Sequence, residues 1–151
     1  MASPRDIRRR ALQAMYQLDV RGEADADAVR SSLEEADDLG PAERDKAWEL
    51  ARAAHAARRD ADEALKRLAP DWPAYRQPAL DRAIIRLAHH ELATGRAAPA
   101  IVINEAVELA KEFSTERSPG FVNAVLDRIA KAAAAPQDAS PEPPASAQET
   151  A

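Results

Sequence analysis

The sequence predicts an all-α protein, a compact bundle of about seven helices in two subdomains. Three observations carry that expectation. Alanine, leucine, arginine and glutamate dominate the chain, and all favour helix over strand. No run shows the alternation of apolar and polar residues that marks a strand. The four glycines, Gly22, Gly40, Gly95 and Gly120, fall between or at the ends of segments with helical periodicity.

The first helix is expected over roughly Pro4 to Val20, with Ile7, Ala11, Ala14, Met15 and Leu18 on its core face. Beside that face Arg5, Arg9, Leu12 and Tyr16 line up, flanked by Arg8 and Arg10. A guanidinium pairs with phosphate bidentately and also stacks on a base, so this cluster is a candidate RNA contact. The plain alternative is a solvated helix end. A second helix is expected from about Ala24 to Asp38, with Ala28, Val29, Leu33 and Ala36 apolar and an acidic outer face. Gly40-Pro41 restarts the chain, and the third helix turns Ala47, Trp48, Leu50, Ala51, Ala54 and His55 inward. Asp60 to Ala69 forms a short fourth helix stopped by Pro70. Pro70-Asp71-Trp72-Pro73 and Pro78 then read as a rigid joint between subdomains at about 4–69 and 74–134.

The fifth helix is expected from about Pro78 to Thr94, burying Leu80, Ala83, Ile84, Leu87, Ala88 and Leu92. Glu91 falls on that same face. A buried carboxylate is costly unless bonded, so Glu91 is expected to accept from backbone N–H groups of a neighbouring helix start. The opposite face, with Asp81, Arg82, Arg86 and His89, is expected to be exposed. After Gly95, Pro99 to Asp127 reads as helix, tight polar loop, helix. Val102, Ala106, Leu109, Ala110 and Phe113 share one face of the first of these helices. Val122, Val125, Leu126 and Ile129 share one face of the second. Ser118 is placed to cap the second helix, and Pro119 suits its first turn. Phe121, on that turn beside a loop carrying Arg117, is well placed to meet a ligand.

The remainder, 135–151, turns to alanine and then to Pro136, Pro141, Pro143 and Pro144 among polar residues. Such a segment cannot bury enough apolar area to offset its ordering entropy, and a disordered tail is expected. The domain proper is therefore 1–134. Hydrophobic residues at 46% and charged residues at 31% fit a globular domain with a real core. No apolar run approaches the roughly 18 residues that span a bilayer, and no signal sequence is evident, so a cytoplasmic protein is expected. The net charge is -5. Asp138, Glu142 and Glu149 carry part of it, so any nucleic-acid contact should be a local patch.

Chemistry is scarce. The absence of cysteine excludes disulfides and thiolate metal sites. His89-His90-Glu91 lacks metal-binding spacing, because adjacent histidines diverge by 100° on a helix. No phosphate-cradling glycine loop and no nucleophile elbow appear. No enzyme, metal or cofactor is expected.

The densest pattern is Ile103-Asn104-Glu105-Ala106, then Glu108-Leu109-Ala110-Lys111, then Phe121-Val122-Asn123 with Val125-Leu126-Asp127. It resembles the NusB family of transcription antitermination factors over about residues 5–132. Ala124 stands where that family usually has glycine, and Pro99 lies one residue later than the family's proline. The resemblance implies binding of the boxA element of nascent ribosomal RNA, together with the small-subunit ribosomal protein NusE, in the antitermination complex of RNA polymerase. It implies RNA contacts at Arg5, Arg8, Arg9, Arg10, Arg117, Phe121 and Asn123, with Phe121 stacking on an unpaired base. It also implies a NusE-facing surface at Tyr16, Asp81, Arg82 and Arg86. Two alternatives come with it. One is a self-associating helical protein, since some members are dimers. The other is a module like the N-terminal domain of certain ribosomal RNA cytosine methyltransferases, although this chain shows no Rossmann-like half or catalytic cysteine. The favoured reading requires the cationic end of the first helix and the Phe121 ring to share one side of the bundle.

Overall fold

The computed structural model describes residues 3–134, and the expected disordered tail at 135–151 lies outside the described residues. Within 3–134 the chain forms seven α-helices: α1 Pro4–Arg21, α2 Ala26–Glu34, α3 Pro41–Ala56, α4 Arg58–Leu68, α5 Ala79–Thr94, α6 Pro99–Phe113 and α7 Ser118–Ala134. Short 3-10 turns at Glu23–Asp25 and Ala74–Arg76 complete it, and there is no strand among the described residues.

Local signals set the ends. Ser3 caps α1 in a reciprocal capping box: its hydroxyl accepts the Asp6 N–H at 3.2 Å and its own N–H donates to the Asp6 carboxylate at 2.9 Å. Pro4 occupies the first turn, where its missing N–H has no intrahelical partner. Gly95 ends α5 at φ +65°, a conformation that disfavours any residue with a Cβ. The Arg96 N–H then reaches back to the Glu91 carbonyl at 3.1 Å, closing a Schellman-type cap. The second helix is shorter than the sequence suggests, Ala26–Glu34 rather than 24–38. Glu34, Glu35, Asp37 and Asp38 would all have stood at a helix C-terminus, where the dipole repels carboxylates. Ala28, expected on its apolar face, is exposed.

One apolar cluster draws residues from all seven helices, among them Leu12, Met15, Val29, Leu50, Leu65, Ile84, Val102 and Leu126. α5 is the element the others surround, packing against α1, α3, α4, α6 and α7. A helix with neighbours on so many sides has no broad solvent face. Ile85 is therefore buried along with Ile84, Leu87 and Ala88, and the polar residues of α5 must find partners inside the protein.

His55 is buried on α3, as its periodicity predicts, and His89 and His90 are half-buried on α5. Burial pushes all three below the ordinary histidine value of 6.5, with Arg58 adding to the effect at His55. A histidine lowered in the folded state is protonated first in the unfolded chain. Its contribution is complete above about pH 6.5 and falls away as the pH drops through that value. The urea midpoint should therefore decrease between about pH 7.5 and about pH 5.5, and His55→Gln should flatten the decrease. The arginine-paired carboxylates Asp38 and Glu105, held below their ordinary values first by hydrogen bonds from Arg10 and Arg5, add loss only at still lower pH. An unchanged midpoint across the window would contradict this assignment.

Candidate nucleic-acid interface

The four N-terminal arginines divide by helical position. Arg8 stands four residues before Leu12 and seven before Met15, on a stripe that faces the core. It is only 8% exposed, and its guanidinium makes three hydrogen bonds of 2.9–3.1 Å to the Glu91 carboxylate, itself 2% exposed. Arg8 is thus committed to a buried ion pair and is not a surface phosphate contact. The same geometry corrects the expectation for Glu91. Its side-chain partners are the guanidiniums of Arg8 and, at 3.5 Å, Arg96, rather than backbone N–H groups.

Arg5, Arg9 and Arg10 face outward, each held by carboxylates. Arg5 binds Glu105 of α6 through two bonds of 2.8 and 2.9 Å. Arg9 bonds Glu112 at the far end of α6 at 2.9 Å and Asp6 at 2.8 Å. Arg10 turns to the other flank and pairs with Asp38, 2.8 Å away, and Gln13. Arg5 and Arg9 therefore run along one edge of α6, and their partners offset much of their positive field.

The α6–α7 loop follows directly from the C-terminal end of α6 at Phe113, one residue after Glu112. Asp81, expected to be exposed, is 4% exposed and accepts hydrogen bonds from the Ser114 and Ser118 hydroxyls, the latter at 2.9 Å. Ser118 does not cap α7 from outside, since the helix begins at Ser118 itself. Its hydroxyl instead contacts Thr115, Ser114 and Asp81, tying the loop to α5. The tied loop presents Arg117 and Phe121 to a cleft of about 390 Å³ whose walls also include Trp72, Arg76, Gln77 and Thr115. The rings of Phe121 and Trp72 lie 5.7 Å apart, tilted by 58°. Trp72 is 57% exposed. The connector carrying it is pinned by Gln77, whose side-chain N–H donates to the Trp72 carbonyl at 2.9 Å. Gln77 Oε1 is buried in this wall without a hydrogen-bond partner in the protein.

Trp72 and Arg76 line the candidate cleft and were not singled out from the sequence. The available signal was a tryptophan in a proline-rich connector in a chain with only six aromatic residues. Asn123 is exposed on the first turns of α7. The cationic helix end and the aromatic ring are joined through the C-terminal turn of α6: Glu112 holds Arg9, and two residues later Ser114 anchors the loop that leads to Phe121.

The expected partner face is also rearranged. Tyr16 is exposed, as anticipated. Arg86 is 8% exposed and Arg82 mostly covered, because both turn toward Asp19 of α1. Arg82 reaches Asp19 at 2.7 Å and also donates to the carbonyls of Ala74 and Gln77, holding the connector. Arg86 bonds Asp62 of α4 at 2.7 Å as well as Asp19. Burial opposes the charge on Asp19, but the two arginines more than offset it and hold its carboxyl below the usual range. These groups floor an open groove of about 700 Å³ bordered by Tyr75, which is 83% exposed. Among the described residues no helix is long and apolar enough to cross a membrane, and no acidic or histidine cluster could hold a metal.

The NusB family model matches residues 5–131. A transcription antitermination protein NusB of Anaeromyxobacter dehalogenans is 39% identical over 123 residues, covering 82% of this chain and 87% of that relative. The NusB structure of T. maritima is 32% identical, with a TM-score of 0.74 over 87% of this chain and 93% of that one. A chain in a crystal structure of antitermination factors NusB and NusE in complex with dsRNA is 26% identical, with a TM-score of 0.74 over 85% of this chain and 96% of that one. Family model, curated relative and solved structures agree over nearly all of the described chain, and the protein belongs to the NusB family.

Proposed function

We propose that this protein is a transcription antitermination factor that binds the boxA element of nascent ribosomal RNA jointly with NusE, in the antitermination complex of RNA polymerase. The observation that carries the reading is the α6 edge: Arg5 and Arg9 at its flank lead to Arg117 and the Phe121–Trp72 cleft at its end. Guanidiniums suit phosphates, and exposed rings suit unpaired bases. The similar chain found with NusE and dsRNA supports both kinds of partner. Asn123, exposed close to Phe121, adds a hydrogen-bonding group beside the cleft.

NusE would meet the face made by Tyr16 and the Tyr75 groove. There Arg82 and Arg86 shape the surface from beneath, and Asp81 acts on the other side by fixing the loop. No step here asks for a catalytic group. The carboxylates paired with Arg5 and Arg9 must yield to phosphate, which makes binding by the protein alone weak and leaves room for a second protein to strengthen it.

The test is an anisotropy titration with a boxA-type RNA, with and without NusE. Binding should tighten with NusE and weaken as salt rises. Glu112→Gln, which frees Arg9 from one competitor, should tighten it further. Absence of binding at low salt under both conditions would reject the reading.

A further inference from the structure

A second cationic surface lies apart from the arginine–carboxylate pairs of the α6 edge. A groove of about 540 Å³ opens where the N-terminal ends of α1 and α6 meet α3, lined by Pro4, Ile7, Arg8, Lys46, Arg96 and Ile101. Three of these residues are cationic and none is acidic. The Arg8 charge is matched by Glu91 behind it. Arg96 makes only a 3.5 Å contact with that same carboxylate, which already accepts three hydrogen bonds from Arg8, and its side chain is 44% exposed. Lys46 is exposed and forms no ion pair among the described residues. A second depression of about 390 Å³ continues from Lys46 and Arg96 past His90 and Glu49. Glu49 is the one carboxylate among the residues lining either depression, and burial lowers the His90 pKa below its ordinary value.

We propose that the Lys46–Arg96 groove is a second phosphate-binding site for single-stranded RNA, extending the strand past Arg5. The inference rests on the RNA-binding reading above. Two features select an RNA backbone. The first is continuity: Pro4 adjoins Arg5, and Ile101 lies one helical turn before Glu105, the partner of Arg5. A strand following the α6 edge from Phe121 enters this groove next, about 20 Å along a helix of this length. The second is composition. Two cations available to phosphate stand over an apolar floor in which Ile101 is 53% exposed, matching phosphate beside sugar and base. The Schellman-type cap at Gly95 fixes the backbone of Arg96, so the guanidinium is presented from a defined position.

The experiment compares uridine-only RNAs of about 8 and about 16 nucleotides, within the usual range of single-strand site sizes. Binding of the full chain is measured by anisotropy across a salt series. Lys46→Ala with Arg96→Ala should weaken the longer RNA and lower its slope of log K against log salt by about 1.4, the value for two phosphates on a single strand. The shorter RNA, held at the α6 edge, should keep its affinity and slope. The groove is refuted if the double variant matches the parent on both RNAs while Arg9→Ala and Phe121→Leu weaken both; the earlier reading then stands. If all these variants leave binding unchanged, the RNA reading falls with it. Both replaced side chains are exposed, so the thermal melt of the double variant should match that of the parent.

Discussion

Glu91→Ala should lower the unfolding free energy by about 3–5 kcal/mol in urea titrations, the cost of leaving one partner of a buried ion pair unmatched. Against the roughly 5–15 kcal/mol typical of a domain, that loss brings the protein near its stability threshold. The charge left behind is Arg8, whose guanidinium loses all three of its carboxylate bonds while enclosed by α1 and α5. Arg8→Ala should cost a similar amount for the reciprocal reason. The paired replacement Arg8→Met with Glu91→Leu removes both charges and keeps the volume, so it should be near neutral or stabilising by about 1–4 kcal/mol. That double variant should keep its affinity for an RNA short enough to stay on the α6 edge, because Arg8 is bonded inward to Glu91 and makes no contact with that edge. A loss below about 1 kcal/mol for Glu91→Ala would contradict the structural role given to the pair.

Phe121→Leu and Trp72→Leu should each weaken RNA binding by about five- to 150-fold, equivalent to the roughly 1–3 kcal/mol that one aromatic contributes by stacking on a base. Leucine keeps most of the apolar contact between the connector and α7 but removes the π face. Affinity should therefore fall much further than the melting temperature. Alanine confuses the two effects, because Phe121 is half-buried and packs on the core cluster. Equal RNA affinity for both leucine variants and the parent would remove the cleft from the interface.

The sequence exposes the helices and much of the site because their signals are local. Ser3-Pro4 with Asp6 marks the start of α1, Gly95 ends α5, and the apolar stripes of α6 and α7 follow the helical repeat. What it hides is which charges meet across helices. Arg8 and Glu91 each fall on a buried stripe with opposite sign, and reading the two stripes together would have paired them. Arg86 and Asp81 could not be placed so simply. A polar stripe on a helix reads as a solvent face until the number of neighbours is known, and α5 is surrounded. Trp72 was hidden for another reason: a connector has no period, and only the fold carries its ring to Phe121.

The decisive measurement is a map of backbone amide shifts in isotopically labelled protein as single-stranded boxA-type RNA is added. The account predicts that the largest changes cluster on the α6 edge and its cleft: Arg5, Arg9, Thr115, Arg117, Phe121 and Trp72. Changes confined to α2 and the outer face of α3, with that edge silent, would contradict it.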